Sequence, residues 1–178
     1  MHEPTAILST NRARRYRLDR DLGTPGPLVL WVMLNPSTAD ERDDDPTIRR
    51  VMHFSRREGF GRVAVCNLHS LRTTDPRGLL RVVTDEPSDE VADAHMLAAA
   101  REARTIIVGW GAHGVRWPRR VVHVYNLLAS SGGGLSPFPR RLWCLGTTKS
   151  GQPRHPLYLH GATRLELVDV LKAGGHRE

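Results

Sequence analysis

The chain has few of the residues that tie a protein together through covalent or metal chemistry. Its 178 residues include two cysteines, Cys66 and Cys144, both inside apolar runs. That excludes a four-cysteine iron–sulfur cluster, and reads as two buried reduced thiols rather than a disulfide or metal site. Nine histidines are present, but no pair has a familiar zinc spacing and neither cysteine has a partner close in sequence. No metal and no other cofactor is expected. No apolar stretch approaches the roughly 20 residues that span a bilayer, and Met1 to Thr10 lacks the basic-then-apolar layout of a signal peptide. The expectation is a cytoplasmic protein with no membrane partner.

Lysine is also scarce, although the formal net charge is +7. The positive charge is nearly all arginine, clustered at Arg12, Arg14, Arg15, Arg17 and Arg20, at Arg49, Arg50, Arg56 and Arg57, and at Arg116, Arg119, Arg120, Arg140 and Arg141. A basic surface favours an anionic partner such as DNA, and arginine forks onto phosphate in a way lysine cannot. A solvated surface with an arginine-biased composition explains the same counts. Hydrophobic residues make up 39% and charged residues 25% of the chain, a globular balance. The length suits one domain over residues 1–178 and a monomer, with residues 1–27 as an N-terminal arm or hairpin and 28–173 as the core.

Ala6 to Ser9 and Arg15 to Leu18 suit a hairpin with Asn11 in its turn. After the breakers Gly23-Thr24-Pro25-Gly26-Pro27 comes an unbroken apolar run, Leu28 to Leu34, of the kind found in strands buried on both faces. Asp45-Pro46 reads as a cap and first helical residue of a helix ending near Gly59, with Ile48, Val51, Met52 and Ser55 facing inward. Strands follow at Arg62 to Cys66, Thr105 to Val108 and Arg141 to Leu145. Helices are expected from a Ser88 cap to about Ala103, over 119–130, and over 162–173 as a closing element. The Gly/Ser/Pro-rich stretch 131–139 reads as a surface loop. This order predicts an α/β fold: a three-layer α/β/α sandwich on a mainly parallel four-stranded sheet. Ligands in such sheets collect at the carboxyl ends of the strands.

The polar residues past those ends are therefore the candidates: Asn35, Ser37, Thr38 and Asp40; Asn67 and His69; Trp110; Thr147, Lys149 and His155. Each also has a plain structural role open to it. Asn-Pro starts turns, Ser and Thr cap helices, and a tryptophan between two glycines packs in a core as readily as it walls a pocket. The acidic run Asp40, Glu41, Asp43, Asp44 and Asp45 can hold magnesium for nuclease chemistry, or simply suit the dipole of the helix that follows it.

Their joint order is more specific. A strand ending in Asn35-Pro36, one ending in Asn67, one ending in Trp110-Gly111 and finally His155-Pro156 resembles the uracil-DNA glycosylase superfamily over residues 28–160. The chain is also similar to a largely uncharacterised bacterial and phage family recognised by Leu34-Asn35-Pro36-Ser37-Thr38-Ala39-Asp40, Asp45-Pro46-Thr47, Asn67-Leu68 and His155-Pro156-Leu157-Tyr158-Leu159. The glycosylase resemblance implies that Asn35, beside Pro36, holds the attacking water, with Asp40 close enough to assist. It implies that Asn67 reads the edge of a flipped base, that Pro36, Ser37, Thr38 and Trp110 shape the pocket, and that His155 donates to the departing base. Leu157 and Tyr158 would push into the duplex, beside Thr147, Lys149 and Arg154 as nucleic-acid contacts.

Breaking an N-glycosidic bond builds positive charge on the sugar and negative charge on the base, so well-placed donors supply much of the help. An amide at position 35 orients water but is a poor general base. Ser37 stands where classical uracil enzymes carry a bulky tyrosine, which implies room for larger or modified bases. The His-Pro motif also lacks the usual Ser-Pro-Leu-Ser continuation. Two other readings compete: a catalytically silent module that binds nucleic acid and recognises a base, and an enzyme acting on free nucleosides or nucleotides.

Overall fold

A computed structural model of the chain describes residues 5–132 and 140–168. Seven strands form one mixed sheet in the order β1-β2-β4-β3-β5-β6-β7. The central strand is β3 (Leu28–Met33), six residues all buried, as its uninterrupted apolar run requires. It pairs in parallel with β4 (Arg62–Asn67) on one side and with β5 (Thr105–Val108) on the other. β6 (Leu142–Cys144) continues the parallel set beyond β5.

Side chains alternate across β3. Leu28, Leu30 and Val32 join one apolar cluster, with Met96, Ala99, Val121 and Val124. Val29, Trp31 and Met33 join the other, with Ile48, Val51 and Phe54. The first cluster is built on α3 (Glu90–Glu102) and α4 (Pro118–Ala129), the second on α1 (Pro46–Arg57). Each fully buried aliphatic or aromatic side chain contributes about 1.5–3 kcal/mol, so this strand anchors both faces.

Asp45 caps α1 by accepting a hydrogen bond from the Ile48 amide at 2.8 Å, with Pro46 at the first helical position as expected. The expected inward face is present, with Phe54 added and Met52 only partly buried. Ser55 accepts from the Trp31 indole at 3.0 Å and donates to the Val51 carbonyl at 2.8 Å, so both polar groups are satisfied inside the core. At α3 the cap is Asp89 rather than Ser88, its carboxylate accepting from the Ala92 amide at 3.3 Å.

Other differences from expectation lie mostly at the edges. The N-terminal segment is a hairpin, β1 (Thr5–Leu8) with β2 (Arg15–Asp21), and β2 pairs antiparallel with β4. It extends the sheet rather than hanging from it, so the four parallel strands are the centre of a seven-stranded mixed sheet. A short helix, α2 (Pro76–Val82), sits where no element is expected. The closing helix is absent from 162–168: β7 (Glu166–Leu167) pairs antiparallel with β6 instead, Leu167 opposite Trp143. A strand there covers the β6 edge, which a helix would leave unpaired. The rest of that expected helix, 169–173, and loop residues 133–139 lie outside the described residues.

Candidate functional site

From β3 the chain crosses to β4 on one side and, later, to β5 on the other. Loops leaving the ends of β3 and β5 therefore diverge, and the crevice between them is where open α/β sheets bind ligands. A cavity of about 560 Å³ lies there, lined from β3 by Met33, Leu34 and Asn35 and from the β5 loop by Trp110, Gly111 and Ala112. Its volume suits a nucleobase with part of its sugar.

The β3 loop brings Asn35, Ser37 and Thr38 to this cavity. The Asn35 amide nitrogen donates to the Pro36 carbonyl at 3.0 Å and the Thr73 carbonyl at 2.8 Å. Both of its hydrogens are thus committed, which fixes the side chain and leaves Oδ1 as an acceptor. Pro36 is buried behind this turn and does not itself line the cavity. Asn67, the last residue of β4, is 4% exposed, and its Oδ1 is buried without a hydrogen-bond partner. Native interiors rarely leave such an atom unpaired without a reason.

The far wall is built by glycines. Gly111 has φ +78°, and a Cβ there would meet the His155 Cβ at 3.2 Å, so glycine both makes the turn and admits the histidine. Trp110 is 1% exposed and donates to Gln152 Oε1 at 2.7 Å. Its ring packs edge-on against Tyr125. A Cβ on Gly114 would come within 2.4 Å of Trp110 Cδ1 and 2.5 Å of Gln152 Oε1. Trp110 is thus core packing and cavity wall at once.

His155 is half-buried and precedes a 3-10 turn (Pro156–Tyr158), its Nδ1 accepting from the Leu157 amide at 3.3 Å. That bond places the ring proton on Nε2. Burial pushes the imidazole down to about 4, with Asp45 opposing the shift. His155 is therefore a neutral Nε2–H donor at ordinary pH. Tyr158, 81% exposed, stands at the rim with Leu157 and Arg154.

Four candidates fall elsewhere. Asp40 does not line the cavity: its Oδ1 accepts from the amides of Arg42 at 3.0 Å and Asp43 at 3.2 Å, and Arg12 lies 3.6 Å from its other oxygen. Those backbone donors hold its carboxyl below the usual range. Thr147 and Lys149 are exposed and also off the cavity, where Thr148 takes the wall position. His69 is buried against Trp117 on another part of the molecule.

Conversely, the cavity recruits residues whose sequence signal pointed to other roles. Asp45 lines it as well as capping α1. Arg15, one of a cluster expected on the surface, is 3% exposed and lines it too. Thr73 and Thr74 from the loop after β4, and His113, complete it. Only adjacency to a strand end marked the threonines in the sequence, and nothing marked Arg15.

The arginine clusters are largely occupied. Arg17 pairs with Asp19 at 2.8 Å and Glu102 at 3.0 Å, Arg20 with Asp44 at 2.7 Å, and Arg120 with Asp93 at 2.6 Å. Arg50 and Arg140 donate to backbone carbonyls, Leu159 for the first and Ala100 and Ala103 for the second. Of the acidic run, Asp44 pairs with Arg20, Asp40 and Glu41 face Arg12, and Asp45 caps α1. Among the described residues no three His, Cys, Asp or Glu side chains gather as a metal-holding group, and no helix is long and apolar enough to cross a membrane.

Fold and site together define an α/β domain with a ligand-sized cavity at the carboxyl ends of its parallel strands. More particularly, the chain belongs to the family described as protein of unknown function DUF1643, whose model matches residues 15–157. That match runs from Arg15 to Leu157, both on the cavity wall. No curated protein and no solved structure matches the chain.

Proposed function

We propose that the domain is a DNA-glycosylase-like enzyme that hydrolyses the N-glycosidic bond of a base flipped out of DNA. The observation that carries this reading is the convergence of Asn35, Asn67 and His155 on one cavity, with the buried Asn67 Oδ1 left without a partner. Apolar packing of α1 in one core cluster and of α3 and α4 in the other is compatible with this reading.

The base enters past Tyr158, which fills the gap it leaves in the stack. Asn67 Oδ1 accepts an N–H from its polar edge. Asn35 Oδ1 accepts a hydrogen from a water aimed at the anomeric carbon. As the bond from that carbon to the base nitrogen breaks, its electron pair leaves with the base, and His155 Nε2–H donates to the base oxygen where the charge collects. A neutral imidazole suits this task because the proton is shared rather than transferred. Water adds at the anomeric carbon and gives its proton to Asp45, the carboxylate within the cavity. An abasic site and a free base result.

The test is excision from labelled DNA carrying uracil, mismatched thymine, hypoxanthine, alkylated and hypermodified bases, read as strand breaks after alkali. Asn35→Ala and His155→Ala are expected to lose about 100-fold or more in rate. Excision unaffected by both overturns the assignment. Tight binding without breaks identifies a base reader instead, and scission that needs magnesium but no alkali identifies a nuclease.

A further inference from the structure

Three arginines are buried among the described residues: Arg15 at 3%, Arg20 at 6% and Arg120 at 1% exposed. Two have a carboxylate in direct contact, Asp44 for Arg20 and Asp93 for Arg120. Arg15 has none within ion-pair distance. Its Nη1 donates to the Ala39 carbonyl at 2.6 Å, and its Nε is buried without a partner. A guanidinium taken from water without a counter-ion is among the costliest arrangements in a fold. Its charged neighbours do not cancel it: Asp45 favours the charge, but Arg72 and Arg20 repel it.

The position of this cost is informative. Among the described residues five buried side-chain atoms lack partners, and Arg15 Nε and Asn67 Oδ1 are the two that belong to cavity-lining residues. They sit on the neighbouring strands β2 and β4. One is a donor and the other an acceptor, on side chains the strands hold in place. A ligand presenting an N–H to Asn67 and an oxyanion to Arg15 satisfies both.

We infer that Arg15 is a specificity-determining residue that receives an oxyanion of the ligand at the cavity floor, as the missing counter-ion of its buried guanidinium. The inference rests on the reading of the cavity as a base pocket and narrows its substrate class. The base carries an acidic substituent, or the ligand is a nucleotide whose phosphate reaches the floor. Ser37, small and on the cavity wall, leaves room for the larger group.

Direct binding tests this without requiring turnover. Titration calorimetry with uracil, 5-carboxyuracil, uridine, uridine 5′-monophosphate and inorganic phosphate is expected to show at least about tenfold tighter binding for one anionic member of a pair over its neutral partner. Arg15→Met is expected to bind the members of that pair alike. Preference for 5-carboxyuracil places the anion on the base, and preference for the monophosphate places it on the nucleotide. Arg15→Met should melt no more than about 2 °C below the wild type, because an unpaired buried charge replaced by an apolar side chain is neutral or stabilising.

Charge-blind binding of the pyrimidines, or a preference that survives in Arg15→Met, overturns the role of Arg15 and leaves the base pocket standing. Arg15-dependent binding of phosphate alone upholds the oxyanion subsite and rejects the base pocket. Failure of every anion to bind rejects the subsite, whatever the excision assay shows. If Arg15→Met does not fold, Arg15→Gln carries the same comparison, with the same outcomes.

Discussion

At the scale of single residues, protonation state and contact geometry set the chemistry. His155 and His69 are both pushed by burial down to about 4, from an ordinary value of 6.5. Between those values the unfolded chain binds protons that the folded chain does not, so stability falls as pH drops through that window and levels off below it. Urea denaturation at pH 7 and pH 5 is expected to show the loss, and His155→Gln is expected to reduce it. Excision by a neutral donor is expected to lack an acid limb near pH 6.5 and to decline only toward pH 4; activity lost as pH rises through about 6.5 identifies an imidazolium acting as a conventional general acid instead. Gly114 is the sharpest packing constraint on the wall. Gly114→Ala forces a Cβ against Trp110 and Gln152 and is expected to cost about 1–3 kcal/mol, read by denaturant midpoint.

At the scale of elements, Asp45 carries two jobs that substitution can separate. As the cap of α1 it contributes about 1 kcal/mol, which Asp45→Asn retains and Asp45→Ala loses. As the carboxylate of the cavity it is lost in both. Asp45→Asn is therefore expected to melt near the wild type with excision greatly reduced, and equal activity in that variant removes Asp45 from the chemistry. The same residue shows what a linear sequence conceals. Asp-Pro is a strong local signal for a helix start, and it hid the role that appears only when the β3 and β5 loops converge. β3, α1 and β4 were legible because a run of apolar residues, a cap and a second apolar run are local patterns. β7 was not, because its pairing with β6 is decided by an open sheet edge far from it in sequence. Asn35, Asn67 and His155 were legible because each directly follows or ends a strand, or joins a His-Pro turn. Arg15 was not, because an arginine in a cluster of arginines looks solvated until its strand is seen to pair with β4.

At the scale of the whole molecule, the net charge of +7 overstates the surface available to phosphates. Arg12, Arg14, Arg17, Arg20 and Arg120 face carboxylates, while Arg154 stands exposed at the cavity mouth with no ion pair among the described residues. DNA binding is expected to show a shallow salt dependence. Arg154→Ala is expected to lower the slope of log affinity against log salt by about one, and an unchanged slope places the phosphate path elsewhere. The central claim is that the cavity releases an intact base. Mass spectrometry of the small-molecule fraction after wild-type protein has acted on base-modified DNA tests it most directly. The expected product is a free base that is missing from the His155→Ala reaction; a released nucleotide, or no base from any substrate, overturns base release at this cavity.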